Sequence, residues 1–557
     1  MSDSTASGPV LAADGTPLKR SLARALRMQK LRALMLIAPL LLFVLLTFIA
    51  PIADMLFRSV ENKIVVTTLP RTVQALQEWD SASGEAPDEA VFQELYYDMF
   101  VAAEAKEHTK LGTRLNYERT GISSLFRSSG RKVDDIGKDH VKAIEDASDK
   151  ALKDEALWFE IMTGGAGAET NDALLNAGRQ RLSNLTDTSF GGDIGFVPGA
   201  AISEILPETT QAYTDFALFT AVADNDVVAE EDPWETVFVA LATELQADPA
   251  RLDGYAGPGA DALIAAAEAV AGFEPIAFKP AFIDIDKDWG DAENWKTIQI
   301  YSPRTTNGYF LNAVDLQKGT DGIEARPENQ QIYITLFTRT LIMSLIITGS
   351  CILLGYPVAW ILANLPTRTA NVLMILVLLP FWTSLLVRTS AWKVMLQQQG
   401  VINEVLVWLG MVPDEARLVM INNQFGTIVA MTHILLPFMI LPMYSVMQTI
   451  NPTYLRAAKS LGATNWTAFW RVYFPQSVPG IGAGSILVFI LAIGYYITPE
   501  IVGGTKGVFI SNRIAYHISS SLNWGLAAAL GTILLVVVLL LYWAYDQIVG
   551  IDNVKLG

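Results

Sequence analysis

Six stretches of this chain carry no acidic or basic side chain over lengths that match a bilayer. They are 33–53, 340–367, 369–387, 418–455, 474–499 and 522–545, and His433 is the only histidine within them. A spanning helix needs roughly 20 mostly apolar residues. A central Asp, Lys or Arg costs about 2.5–3.5 kcal/mol on insertion, so gaps of this length are selected rather than accidental. Composition agrees: 51% of residues are hydrophobic and 17% charged, against about 25% charged in soluble domains. Pro39, Pro380, Pro437 and Pro442 fall inside the stretches. Membrane helices tolerate proline because neighbours satisfy the freed carbonyls. The pattern predicts an all-α membrane protein with six transmembrane helices.

The net charge of −17 is unevenly spread. Residues 58–332 hold 48 acidic and 23 basic side chains, whereas the rest of the chain is weakly basic. An acidic, mostly helical soluble domain is therefore expected between the first helix, 33–57, and a five-helix core at 333–550. Apolar residues recur at three and four around Glu89–Leu115 and Trp234–Leu245. Gly-rich breaks occur at Gly164–Gly167, Gly191–Gly195 and Gly254–Gly259. The insert is long enough for a core of its own, as one domain or as two divided near 185–200. The acidity argues against nucleic acid as a partner.

Lys19, Arg20, Arg24, Arg27, Lys30 and Arg32 make 1–32 a basic N-terminal segment. The apolar run after it is longer than that of a signal peptide, and no A-x-A cleavage site follows, so it reads as a retained anchor. Basic residues favour the cytoplasm. That places the N-terminus, the connection at Arg368, the loop with Arg456, Lys459 and Arg471, and the C-terminal 551–557 with Lys555 inside, and the 58–332 insert outside.

Signatures of enzymes are missing. Gly503-Gly504-Thr505-Lys506 lacks the spacing of a phosphate-binding loop, so no ATP site is expected in this chain. His108, His140, His433 and His517 form no H-x-x-x-H pair, and there is no G-x-S-x-G. Asp284, Asp286 and Asp288 alternate as in a calcium loop, but Trp289 stands where such a loop turns on Gly and Trp295 where it needs a bidentate Glu. They read as a solvated acidic loop, and no metal is expected. Cys351 is the single cysteine and has no disulfide partner.

The most specific feature lies between the fourth and fifth stretches. It runs Asn451-Pro452-Thr453-Tyr454-Leu455-Arg456-Ala457-Ala458-Lys459-Ser460-Leu461-Gly462-Ala463 and continues through Trp466, Phe469, Trp470 and Tyr473 to Pro475. Asn451 can cap a helix that has Pro452 at its first position. Gly462 can end it in a left-handed turn, and Thr464 or Asn465 can cap a second helix. The four aromatics, spaced i, i+3, i+4, i+7, predict a stripe packed on the membrane bundle.

This loop resembles the E-A-A-x-x-x-G motif of permeases of binding-protein-dependent ABC importers, with Arg456 in place of the usual Glu. Pro380-Phe381-Trp382-Thr383-Ser384-Leu385-Leu386-Val387-Arg388, Gly494-Tyr495-Tyr496-Ile497-Thr498-Pro499 and Asn523-Trp524-Gly525 are similar to the spermidine/putrescine type of that MetI-like family. Many members carry Asp where Tyr495 stands. The likeness covers 31–57 loosely and 333–550 well, but not the insert.

The resemblance implies a multi-pass permease of a bacterial inner membrane without ATPase activity of its own. Two separate ATPase subunits would bind the ATP and Mg. A second, different permease and a periplasmic binding protein would be further partners, with membrane lipid around. The implied solute is a polyamine or related small amine. The implied coupling loop is 448–477, acting through Ala457, Ala458, Leu461, Gly462 and Ala463. Trp382, Arg388, Tyr495, Tyr496 and Glu500 are the candidate pathway residues: they lie toward the outer side of their spans, and the tyrosines could stack on an amine. A membrane-anchored receptor with a ligand-binding insert is the competing reading, but it has no use for the 448–480 loop.

Overall fold

A computed structural model describes residues 18–147, 150–319 and 322–549, with side chains from 26 to 547. Lys19, Arg20 and Arg24 fall where side chains are not described. The expected cytoplasmic tail 551–557, with Lys555, lies outside the described residues, as do 1–17. The described chain is mostly helical, and its one sheet is the hairpin Leu316–Gly319 with Gly322–Ala325. It divides into two compact units: residues 1–60, 312–315 and 327–557, and residues 61–311 with 316–326.

Five helices of the first unit are long and apolar enough to cross a membrane: Leu26–Arg58, Tyr333–Asn364, Gln424–Thr449, Asn465–Gly494 and Trp524–Gln547. The third of the six expected helices is broken. The uninterrupted helix expected over 369–387 is replaced by Thr367–Trp382 and Leu385–Met395, which meet at 92°. Pro380 removes a backbone donor and crowds the preceding turn, which tightens to a 3₁₀ turn over Leu379–Trp382. Thr383 and Ser384 are then extended, with ψ of 150° and 142°. Counted as one bent span, the pair brings the total to six.

Helices Tyr333–Asn364, Gln424–Thr449 and Phe474–Gly494 share one buried core of Met343, Ile347, Cys351, Leu435, Met439, Met443 and Val488. Small residues let backbones approach where lipid offers no hydrophobic drive to association. A Cβ on Gly480 would stand 3.0 Å from Met443 Cα, and one on Gly484 would stand 3.1 Å from the Met439 carbonyl oxygen. The first helix bulges into a π turn at Leu45–Ile49 just ahead of Pro51, which cannot donate to the regular ladder.

The second unit is the acidic insert. Helices form over Glu89–Glu104, His108–Leu115 and Glu235–Ala247, as the periodicity predicts. The glycine-rich breaks contain left-handed turns at Gly164, Gly192 and Gly259. The core is aromatic: Trp158, Trp289, Trp295, Tyr96, Tyr213 and Phe92 are almost fully buried. Phe92 meets Trp295 edge-on at 4.8 Å, a favoured geometry.

This core explains the alternating aspartates. Asp286 and Asp291 cap short helices by accepting from Asp288 N and Glu293 N, while Trp289 donates to Ser129 Oγ at 2.8 Å and Trp295 to the Trp289 carbonyl at 2.8 Å. Among the described residues no group of three or more acidic, His or Cys side chains could hold a metal.

At the buried end of helix Pro70–Ala75, the Asp98 carboxylate accepts from Thr72 N at 2.7 Å and Thr72 Oγ1 at 2.8 Å. Burial nevertheless pushes Asp98 up to about 7. Beside it Arg71 bridges Glu94 at 2.5 Å and Glu208 at 2.7 Å and lies 4.4 Å over the Tyr97 ring.

Candidate coupling loop and solute pathway

The loop folds from local signals. Asn451 Oδ1 accepts from Thr453 N at 2.9 Å, and Pro452 opens helix Pro452–Ser460. At the other end Gly462 takes φ +90°. Its N–H bonds the Lys459 carbonyl at 3.0 Å, while Ala463 N–H reaches back to Ala458 O at 3.1 Å. These paired 5→2 and 6→1 bonds form a Schellman cap. Ala458 and Ala463 are thus tied by the cap itself, and Ala457 and Leu461 stand on the exposed side, Leu461 at 89%. Thr464 then caps the next helix by accepting from Thr467 N at 3.3 Å. The result is a helix, a left-handed turn and a second helix with a bare apolar edge.

The aromatic stripe departs from the expected one. Tyr473 is buried and Phe469 packs against the membrane core, but Trp466 and Trp470 are exposed and meet edge-to-face at 5.6 Å. A π turn over Phe469–Tyr473 is the cause. Its wider turn rotates the residues on either side relative to a 3.6-residue period, so one stripe becomes two faces.

The candidate pathway residues gather at two broken helices. Helix Leu385–Met395 and the short helix Ile497–Val502 are joined by a bond between the buried hydroxyls of Thr389 and Thr498, 3.1 Å apart. Arg388, next to Thr389, is half-buried, and its Nε is buried with no hydrogen-bond partner. An unpaired buried donor costs about 1–3 kcal/mol. Helix Phe474–Gly494 stops short of the expected 499, so Tyr495 and Tyr496 are non-helical and Glu500 lies on the next short helix. Asn512 holds this break: its Nδ2 donates to the Tyr496 carbonyl at 2.8 Å and to Glu500 Oε2 at 2.6 Å. Ser511 Oγ donates to the Tyr495 carbonyl at 2.6 Å. Trp382 is 72% exposed at the end of the first half of the bent span.

Sequence reasoning passed over Thr389, Asn512 and Ser511, whose partners are distant in the chain. It also passed over the Trp392–His433 pair, where Trp392 Nε1 donates to His433 Nδ1 at 3.1 Å. That bond leaves the His433 proton on Nε2 in the neutral ring. Gly503 and Gly507 give room to Thr427, whose Oγ1 would lie 2.6 and 2.7 Å from added Cβ atoms.

A family model described as "Binding-protein-dependent transport system inner membrane component" matches residues 352–549. The chain is 36% identical over 222 residues to the spermidine/putrescine transport system permease protein PotB of Salmonella typhimurium (strain SL1344), covering 39% of this chain and 77% of that protein. It is 35% identical to PotB of Escherichia coli (strain K12), with 39% and 80% covered. The inner membrane ABC transporter permease protein YdcU of Escherichia coli (strain K12) is 32% identical over 225 residues, with 39% and 71% covered. Among solved structures, a bacterial ABC transporter involved in the import of the acidic polysaccharide alginate is similar at 21% identity and a TM-score of 0.32, over 50% of this chain and 99% of that one.

Proposed function

The chain belongs to the family of binding-protein-dependent transport inner-membrane components, and on that premise we propose that it carries a polyamine or a related small amine across the membrane, driven by separate ATPase subunits. It is a multi-pass ABC importer permease of the inner membrane. The proposed assembly holds two ATPases, which bind the ATP and Mg, a second and different permease, and a periplasmic binding protein. The N- and C-termini and the 448–477 loop face the cytoplasm and the insert faces the periplasm.

The observation that carries the coupling reading is the capped loop with Ala457 and Leu461 bare on its outer side. A receptor gains nothing from an exposed, rigidly capped apolar edge, whereas an ATPase cleft does. ATP closure of the partner subunits moves this edge, and the helices continuous with it switch the pathway between its two openings. Tyr495, Tyr496 and Glu500 receive the cation, the rings by cation–π attraction and the carboxylate by charge. The relatives named for spermidine and putrescine support the solute class. The insert contacts the binding protein or covers the outer mouth.

The test is reconstitution of the chain with its ATPases, the second permease and the binding protein in liposomes. ATP-dependent uptake of labelled spermidine or putrescine is expected. Uptake of an anionic solute alone would overturn the polyamine assignment and leave the permease standing. Ligand binding by the chain alone, with no ATP-driven flux in the assembly, would favour the receptor.

A further inference from the structure

We infer that the short helix Val401–Trp408, with the segment that follows it, is an interfacial anchor that lies in the membrane–water boundary and takes lipid as its partner. This segment joins two membrane elements, helix Leu385–Met395 and helix Gln424–Thr449. Its depth is fixed by the corner at Gly400. A Cβ there would come within 2.4 Å of the Val394 carbonyl oxygen and 2.7 Å of the Met395 carbonyl oxygen. The helix therefore starts directly on the end of a membrane helix. At its far side Asn422 N–H bonds the Val502 carbonyl at 2.8 Å, which ties the returning segment to the same unit.

The rotation of the helix is fixed as well. Asn403 is fully buried; its Nδ2 donates to Gln397 O at 3.1 Å and Leu418 O at 3.0 Å, and its Oδ1 accepts from Leu418 N at 3.0 Å. With Asn403 pinned inward, the helical period turns Val401, Val405 and Trp408 outward, and all three are exposed, Trp408 at 83%. Met411 and Val419, in the segment that follows, are exposed apolar residues as well. Glu404 lies at the edge of the helix face.

Large apolar side chains left bare together on one helix face mark an interaction site. Its occupant follows from continuity: the exposed Val387 and Val394 on the preceding helix and Phe425 on the following one belong to membrane-crossing elements. A tryptophan at a helix end suits the headgroup level, where amphipathic rings are enriched.

The experiment uses the full chain, reconstituted alone into vesicles of phosphatidylethanolamine and phosphatidylglycerol. Cys351 is fully buried and can stay. Spin labels are attached at Val405→Cys, at Met411→Cys as a second position, and at Ser189→Cys in the insert as a water-exposed reference. Collision with oxygen relative to a water-soluble nickel chelate should be several-fold higher at 405 and 411 than at 189. Equal ratios at all three positions would overturn the inference by placing the surface in water. Loss of both collisions at 405 and 411 would also overturn it, by showing that a second copy of the chain covers the surface.

Discussion

Replacing Gly462 tests whether the coupling loop acts through its geometry. The residue holds φ +90°, and a Cβ added to it meets nothing within 4 Å. Any defect of a substitution therefore comes from backbone strain and not from collision. A left-handed conformation costs an ordinary L-residue roughly 1–2 kcal/mol, more for a β-branched one and least for Asn. Since about 1.4 kcal/mol is tenfold in an equilibrium, Gly462→Ala should lower the population of the capped loop about tenfold, Gly462→Val more, and Gly462→Asn by a factor of about 3 or less. Straining the turn pulls Ala463 N–H away from Ala458 O and swings Leu461, the most exposed part of the edge. The readouts are the affinity of the ATPase for the permease in nanodiscs and ATP hydrolysis stimulated by loaded binding protein. The order glycine, asparagine, alanine, valine is expected in both, with membrane insertion unchanged. If valine performed as well as asparagine, the turn geometry would be irrelevant to coupling. If asparagine failed as badly as valine, the ATPase would be reading the bare surface of glycine rather than its φ.

Three further outcomes are expected. Asp98 has its pKa raised from the carboxylate range to about 7, so its contribution to stability is complete below about pH 4 and is lost as pH rises through 7, by up to about 4 kcal/mol. Asp98→Asn keeps an acceptor for Thr72 and removes the ionisation, so the opening free energy of helix Pro70–Ala75 in the full chain, from hydrogen exchange corrected for its intrinsic base-catalysed rate, should become independent of pH between 5 and 8; an unchanged pH profile would refute this. Glu500→Gln keeps the acceptor for Asn512 but removes the charge. It should cut uptake of a cationic solute by about 10-fold or more at unchanged assembly, the loss of one charge-assisted contact, and wild-type uptake would remove Glu500 from the pathway. Cysteines at Ser189 and Asn465, labelled by an impermeant reagent in spheroplasts, should react at 189 only; reaction at 465 alone would invert the proposed topology.

What the sequence disclosed follows the range of the forces involved. Long uncharged stretches report the membrane directly, because each charge is costly wherever the neighbouring helices lie. The caps at Asn451, Gly462 and Thr464 were legible because each bond closes within five residues. The break at Thr383 was not. Pro437 and Pro442 sit inside a continuous helix while Pro380 precedes a 92° bend; the residue type is the same and the tertiary setting differs. The aromatic stripe failed for a related reason, since a π turn leaves no mark in hydropathy. In the insert, Phe92 packs on Trp295, and Arg119 pairs with Asp291 at 2.6 Å. Such pairings lie far apart in the chain and no local period announces them, which is why the acidic run from Asp284 reads in the sequence only as a solvated loop and not as the capped edge of an aromatic core.

The pathway residues show both limits at once. Tyr495, Tyr496 and Glu500 attract attention by type, yet what makes a site of them is a set of neutral bonds that no motif marks. Asn512 and Ser511 hold two carbonyls where a helix has ended, and the Thr389–Thr498 bond fixes one broken helix on another. Non-helical backbone is tolerated at membrane depth only where protein or a water-filled cavity satisfies it, so these bonds are the condition for the break to exist. Within the same cluster Arg388 is, among the described residues, the one charged side chain of the membrane unit with a buried atom left unpartnered. The unit thus satisfies its broken backbone with neutral bonds and keeps the Arg388 guanidinium next to the Thr389–Thr498 bond that fixes it.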